Sequence, residues 1–164
     1  MPKYTTSVLR LAVVSALAMG SLAGIQTSAF AGAGHSGGHN DGVEIGAPGD
    51  ISDVRRTIQI SMEDNFYDKE KIVVRGGETV RFLIENKGEF VHEFNIGTAA
   101  MHADHQNEMM MMMEHGALDP NSVLLEPGDS AEVIWTFPKD AELEFACNVP
   151  GHYESGMVGK VRLQ

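Results

Sequence analysis

The stretch Glu142-Leu-Glu-Phe-Ala-Cys147-Asn-Val-Pro-Gly-His152-Tyr-Glu-Ser-Gly-Met157-Val-Gly-Lys-Val-Arg-Leu163 reads as two short strands joined by a loop. Cys147, His152 and Met157 recur in it with four residues in each gap. A soft thiolate, an imidazole and a weak thioether suit copper, in a trigonal site of two histidines and one cysteine with a long axial methionine. Such a site needs a second histidine, distant in sequence and close in space. His92, in Phe90-Val-His-Glu-Phe-Asn-Ile96, lies in an apolar stretch that reads as a strand. Pro150 limits the freedom of the loop, while Gly151 and Gly156 permit unusual dihedrals beside each ligand. The bland alternatives are a buried inert thiol at Cys147 and a satisfied strand histidine at His92. The shared spacing of Cys, His and Met argues against both.

Working outward, alternation and β-branched residues mark strands at 57–62, 71–75, 79–86 and 91–96. Gly76-Gly77 supplies the turn between the second and third of these. Strand signals resume at 122–125, and Pro127-Gly128-Asp129 marks a turn before 130–137, which holds the lone tryptophan, Trp135. With the two strands around the Cys147 loop, seven or eight short strands and little helix predict an all-β, antiparallel Greek-key sandwich. The stretch 97–121 is a long non-strand insertion for so small a sandwich, and connections of that length are usually functional or disordered.

The chain resembles the cupredoxins, and within them the small exported proteins of the CopI type, linked to bacterial copper tolerance. The resemblance covers about residues 57–164 and rests on the Cys-x4-His-x4-Met loop, on His92, and on Lys71-Ile-Val-Val-Arg-Gly-Gly-Glu-Thr-Val-Arg-Phe-Leu-Ile-Glu-Asn86, similar to the strand-turn-strand that opens many such domains. It implies a cupredoxin-like sandwich or barrel with one type-1 copper, His92, Cys147 and His152 as equatorial ligands and Met157 as the axial one. One position departs from the best-known electron carriers, which often carry Asn after the first ligand histidine. Here Glu93 stands there, and an ionised carboxylate cannot donate a hydrogen bond towards the sulfur. Strict alternation sends Glu93 to the face opposite His92, where it is expected to meet solvent.

Lys3 and Arg10, the apolar run from Leu11 to Ile25 and the small-x-small signal Ala29-Phe30-Ala31 read as a secretory signal peptide over 1–31, cleaved after Ala31. That run is too short for a membrane anchor, so the expectation is an exported, periplasmic protein with no membrane attachment after cleavage. Residues 32–56, rich in Gly and poor in large apolar side chains, read as a flexible arm, and 57–164 as the folded domain. A lone cysteine in an oxidising compartment is a reactive thiol or a metal ligand. The formal charge is −11, and −13 once Lys3 and Arg10 leave with the signal. That charge argues against nucleic acid and anionic membranes, and weakly favours a monomer.

Within the insertion, Met101, His102, His105, Met109, Met110, Met111, Met112, Met113 and His115 place six methionines and three histidines in fifteen residues. Thioethers select Cu(I) and need no deprotonation, so these residues are a candidate auxiliary copper site. The competing reading is a turn of helix packed on the sandwich. His35 and His39 in the arm are a weaker candidate.

Three functions compete. The Met/His-rich segment favours a periplasmic copper-tolerance protein that binds copper and cycles Cu(I)/Cu(II), with a redox or copper-delivery protein as partner. A one-electron shuttle needs only the type-1 site. A multicopper oxidase would need paired His-x-His motifs, which the seven histidines do not form. The reading is therefore not an enzyme, with one-electron Cu(I) oxidation at the single site left open.

Overall fold

The computed structural model describes residues 44–115 and 119–164, apart from the side chains of 108 and 110–115. The expected signal peptide, and the part of the arm that carries His35 and His39, lie outside the described residues. The described chain forms strands β1 (Ala47–Pro48), β2 (Arg56–Glu63), β3 (Phe66–Tyr67), β4 (Lys71–Val74), β5 (Thr79–Asn86), β6 (His92–Gly97), β7 (Ser122–Leu125), β8 (Ser130–Thr136), β9 (Leu143–Ala146) and β10 (Val158–Leu163), with a short 3-10 turn at Ile51–Asp53 and one α-helix, α1 (Ala99–His115), between β6 and β7. All eight expected strands are present, at β2 and from β4 to β10.

The strands form two five-stranded sheets, ordered β1-β8-β5-β2-β3 and β4-β10-β9-β6-β7. The expected all-antiparallel pairing needs correction at two places, since β2 pairs with β5 and β4 with β10 in parallel. The chain visits the opposite sheet at β4 before it returns at β5, and a crossover of this kind allows a parallel neighbour. Between the sheets lies an apolar core that includes Ile60, Phe82, Ile84, Phe94, Ile96 and Phe145. Its aromatic rings meet mostly edge-on or tilted, with Tyr67 and Phe145 centroids 5.0 Å apart and Phe94 and Phe145 5.6 Å apart.

One segment differs from the sequence-based expectation, and another resolves an open alternative. Residues 44–56, placed in the flexible arm, add β1 to the edge of the first sheet, where the Ile45 carbonyl accepts a 2.9 Å bond from Trp135 Nε1. The indole donor needs a partner, and together with the β1–β8 pairing and the Gly49 amide on the Ile134 carbonyl it ties this segment down. The non-strand insertion carries α1, in keeping with the helical alternative and longer than the single turn it foresaw. Thr98 caps α1, its Oγ1 accepting from the Met101 amide at 3.2 Å. Helix α1 lies against β9, with His102 and Met109, two turns apart, fully buried.

Candidate metal centre

The metal-ligand candidates converge at one end of the sandwich because of how three strands end there. His92 opens β6, Cys147 follows β9, and Met157 precedes β10. The Cys147 amide donates to the Met157 carbonyl at 3.1 Å and the Met157 amide to the His152 carbonyl at 3.0 Å, which closes the loop at its base. Gly151 and Gly156 take φ of 88° and 99°, a region L side chains rarely enter.

The result is a cluster in which one donor atom each from His92, Cys147 and His152 lies within 4.8 Å of the others. The Nδ1 atoms of His92 and His152 are 3.2 Å apart, and Cys147 Sγ lies 3.3 Å from His152 Nδ1. His92, Cys147 and Met157 are fully buried, and His152 is half-buried. Burial pushes the Cys147 thiol up to about 12, and burial followed by the nearby His92 holds His152 below its usual value. Cys147 is therefore held as the thiol in the metal-free protein, and it must release its proton to become a ligand. One nitrogen from each of two imidazoles within 4.8 Å of one thiol sulfur fits copper in chemistry and in number.

A family model described as copper-binding proteins of the plastocyanin/azurin family matches residues 54–164. The chain belongs to this family. Copper is accordingly its cofactor, and the sandwich is a cupredoxin fold. The copper-resistant cuproprotein CopI of Pseudomonas aeruginosa is 42% identical over 152 residues, covering 75% of this chain and 84% of that protein. The CopI of Rubrivivax gelatinosus is 42% identical over 144 residues, covering 82% and 87%. Among solved structures, reduced auracyanin of Roseiflexus castenholzii superposes with a TM-score of 0.57 at 25% identity, covering 68% of this chain and 98% of its own.

Around this cupredoxin site lie residues that the sequence did not single out. Asp64, in the turn between β2 and β3, meets His92 Nε2 at 3.1 Å through Oδ1 and accepts from the Glu89 amide at 2.9 Å. The bond with His92 is the main reason its carboxyl sits below the ordinary carboxylate value. It fixes the ring so that Nδ1 faces the cluster. Gly88 leaves room for this contact, since a Cβ there would lie 2.8 Å from His92 Nε2 and 2.4 Å from Asp64 Oδ1. The Asp-Asn turn at 64–65 was a visible loop signal, but nothing in sequence linked it to a histidine 28 residues on.

The expectation for Glu93 is overturned. It does point away from His92, yet it is fully buried, because α1 and the neighbouring loop cover that face of the sheet. Ser122 Oγ donates to its Oε1 at 2.6 Å and Asn148 Nδ2 to its Oε2 at 2.8 Å. Burial raises its carboxyl, but the bonds from His105, Ser122 and Asn148 outweigh this and leave it below its ordinary value.

Among the described residues, neither His102 nor His105 joins the cluster formed by His92, Cys147 and His152. Met101 and His105 are half-buried, His102 and Met109 fully buried, and the side chains of Met110, Met111, Met112, Met113 and His115 lie outside the described ones. His102 contacts Asn148 Nδ2 through Nδ1 at 3.2 Å, and burial lowers its basicity. Among the described residues no helix is long and apolar enough to cross a membrane.

Proposed function

We propose that the protein is a periplasmic copper-tolerance cupredoxin that holds one type-1 copper through His92, Cys147 and His152, with Met157 as axial ligand. The convergence of those first three side chains on one point carries the reading. The buried Met157, backbone-bonded to both Cys147 and His152, supports its part. The relatives in Pseudomonas and Rubrivivax described as copper-resistant support the physiological role. Bound copper would supply one-electron Cu(I)/Cu(II) chemistry. The chain's own contribution is to fix His92 through Asp64, to hold the sulfur in a dry pocket, and to leave His152 as the half-buried ligand nearest solvent. Such a rigid donor set limits rearrangement between oxidation states.

A second reading, a one-electron shuttle, is favoured by one observation. Phe66 and Phe90 are 54% and 62% exposed, on the two segments that bear Asp64 and His92. Exposed aromatic side chains beside a redox site suit a transient protein partner. Complementation separates the readings: a copper-sensitive strain lacking the protein should regain tolerance with the intact chain and not with Cys147→Ser. Full rescue by Cys147→Ser would refute a tolerance role for the type-1 site.

A further inference from the structure

Glu93 makes an arrangement that copper ligation alone does not require. Its Oε1 accepts from Ser122 Oγ at 2.6 Å, His105 Nε2 at 3.0 Å and Asn95 Nδ2 at 3.3 Å. Its Oε2 accepts from the Asn148 amide at 3.1 Å and Asn148 Nδ2 at 2.8 Å. Every neighbour of the carboxylate donates, so the group is ionised, and His105 presents an N–H at Nε2. The backbone of the same residue reaches the other way: the Glu93 amide donates to Cys147 Sγ at 3.3 Å. One residue thus touches the sulfur through its main chain and grips the residue after that cysteine through its side chain. The carboxylate in turn is held by α1 through His105.

We propose that Glu93 is a positioning residue that sets the electrostatic environment of the Cys147 sulfur, and that α1 adjusts this effect through the His105–Glu93 contact. The inference rests on the type-1 reading of Cys147. A buried negative charge beside the centre favours the more positive Cu(II) over Cu(I) and so lowers the reduction potential, strongly so where water is excluded. Donors to the carboxylate spread and offset that charge. Removing the charge and removing a donor therefore act in opposite directions. Glu93→Gln raises the potential, while His105→Ala lowers it. Ser122→Ala, which removes the shortest of the side-chain donors to Oε1, lowers it too. General loosening of the site would instead move all three variants alike.

The test is spectroelectrochemical titration of the copper-loaded protein and these variants, with absorption and EPR spectra and thermal unfolding of each metal-free form alongside. The expected result is a raised potential in Glu93→Gln, lowered potentials in His105→Ala and Ser122→Ala, and no further shift when His105→Ala is added to Glu93→Gln. The inference is overturned by shifts of one sign throughout, by unchanged potentials, or by a His105→Ala shift that survives in the Glu93→Gln background. Should Glu93→Gln not fold, His105→Ala and Ser122→Ala decide alone, and a rise or no change in either refutes it. Absence of a thiolate-to-copper band in the unaltered protein would be a failure of the copper site reading itself, whereas a normal band with unmoved potentials is a failure of this inference only.

Discussion

Strands β5 and β6 face each other across the core, and their outer faces could hardly differ more. In β5 the outward positions Arg81, Leu83 and Glu85 are half-buried or exposed, whereas all six residues of β6 are buried. The alternation of side chains is the same in both. What differs is what lies beyond: a face reaching water for β5, and α1 with the Asn148 loop for β6. Sequence alternation tells which way a side chain points, and only tertiary structure tells what it meets there.

The inner faces of the two strands should behave alike. Phe82→Ala in β5 and Phe94→Ala in β6 each remove a fully buried ring and should lower unfolding free energy by about 3–5 kcal/mol in denaturant titrations. A loss confined to one strand would break the symmetry claimed for the core. The outer faces should diverge. Glu93→Ala strands several buried donors and should destabilise the metal-free protein by about 3 kcal/mol, while Glu85→Ala in β5 should stay within about 0.5 kcal/mol. Equal effects would mean that α1 does not cover β6 as described.

At the start of β6 the comparison becomes chemical. Asp64→Ala removes the partner of His92 Nε2 and should weaken copper binding about 10–100-fold in chelator competition, with little change in folding stability. The smallest effect concerns Glu144, a second covered carboxylate, on β9. Burial raises its carboxyl, but Lys160 Nζ and Tyr153 Oη, each at 2.6 Å, more than offset this and leave it below the ordinary value of 4.5. A depressed carboxyl contributes stability above its unfolded value and loses it as pH falls through the folded one. Acid unfolding of the metal-free protein below about pH 4.5 should therefore begin at higher pH in Lys160→Ala. An unchanged or lower midpoint would contradict that sign.

Much of this architecture was legible in the chain. Alternation located all eight principal strands, and His92, Cys147 and His152, singled out by ligand chemistry, strand placement and the cupredoxin resemblance, lie in one cluster. What escaped shares one physical cause, contact between residues far apart in sequence. Asp64 reaches His92 from 28 residues away, Ile45 is held by Trp135 from 90 residues away, and Asn148 turns Glu93 from a solvent-facing acid into a buried hub. The helix was closer to legible. Thr98 before Ala99-Ala100 is a capping signal, and His102, His105 and Met109 fall at helical spacing on the side that meets the sheet.

The most direct test of the central claim is copper titration of the purified protein and its Cys147→Ser variant, with absorbance, EPR and metal counting recorded together. The account predicts an intense thiolate-to-copper absorption that saturates at one equivalent in the unaltered chain and is absent from Cys147→Ser. The same absorption in Cys147→Ser, or none in the unaltered protein, would contradict it.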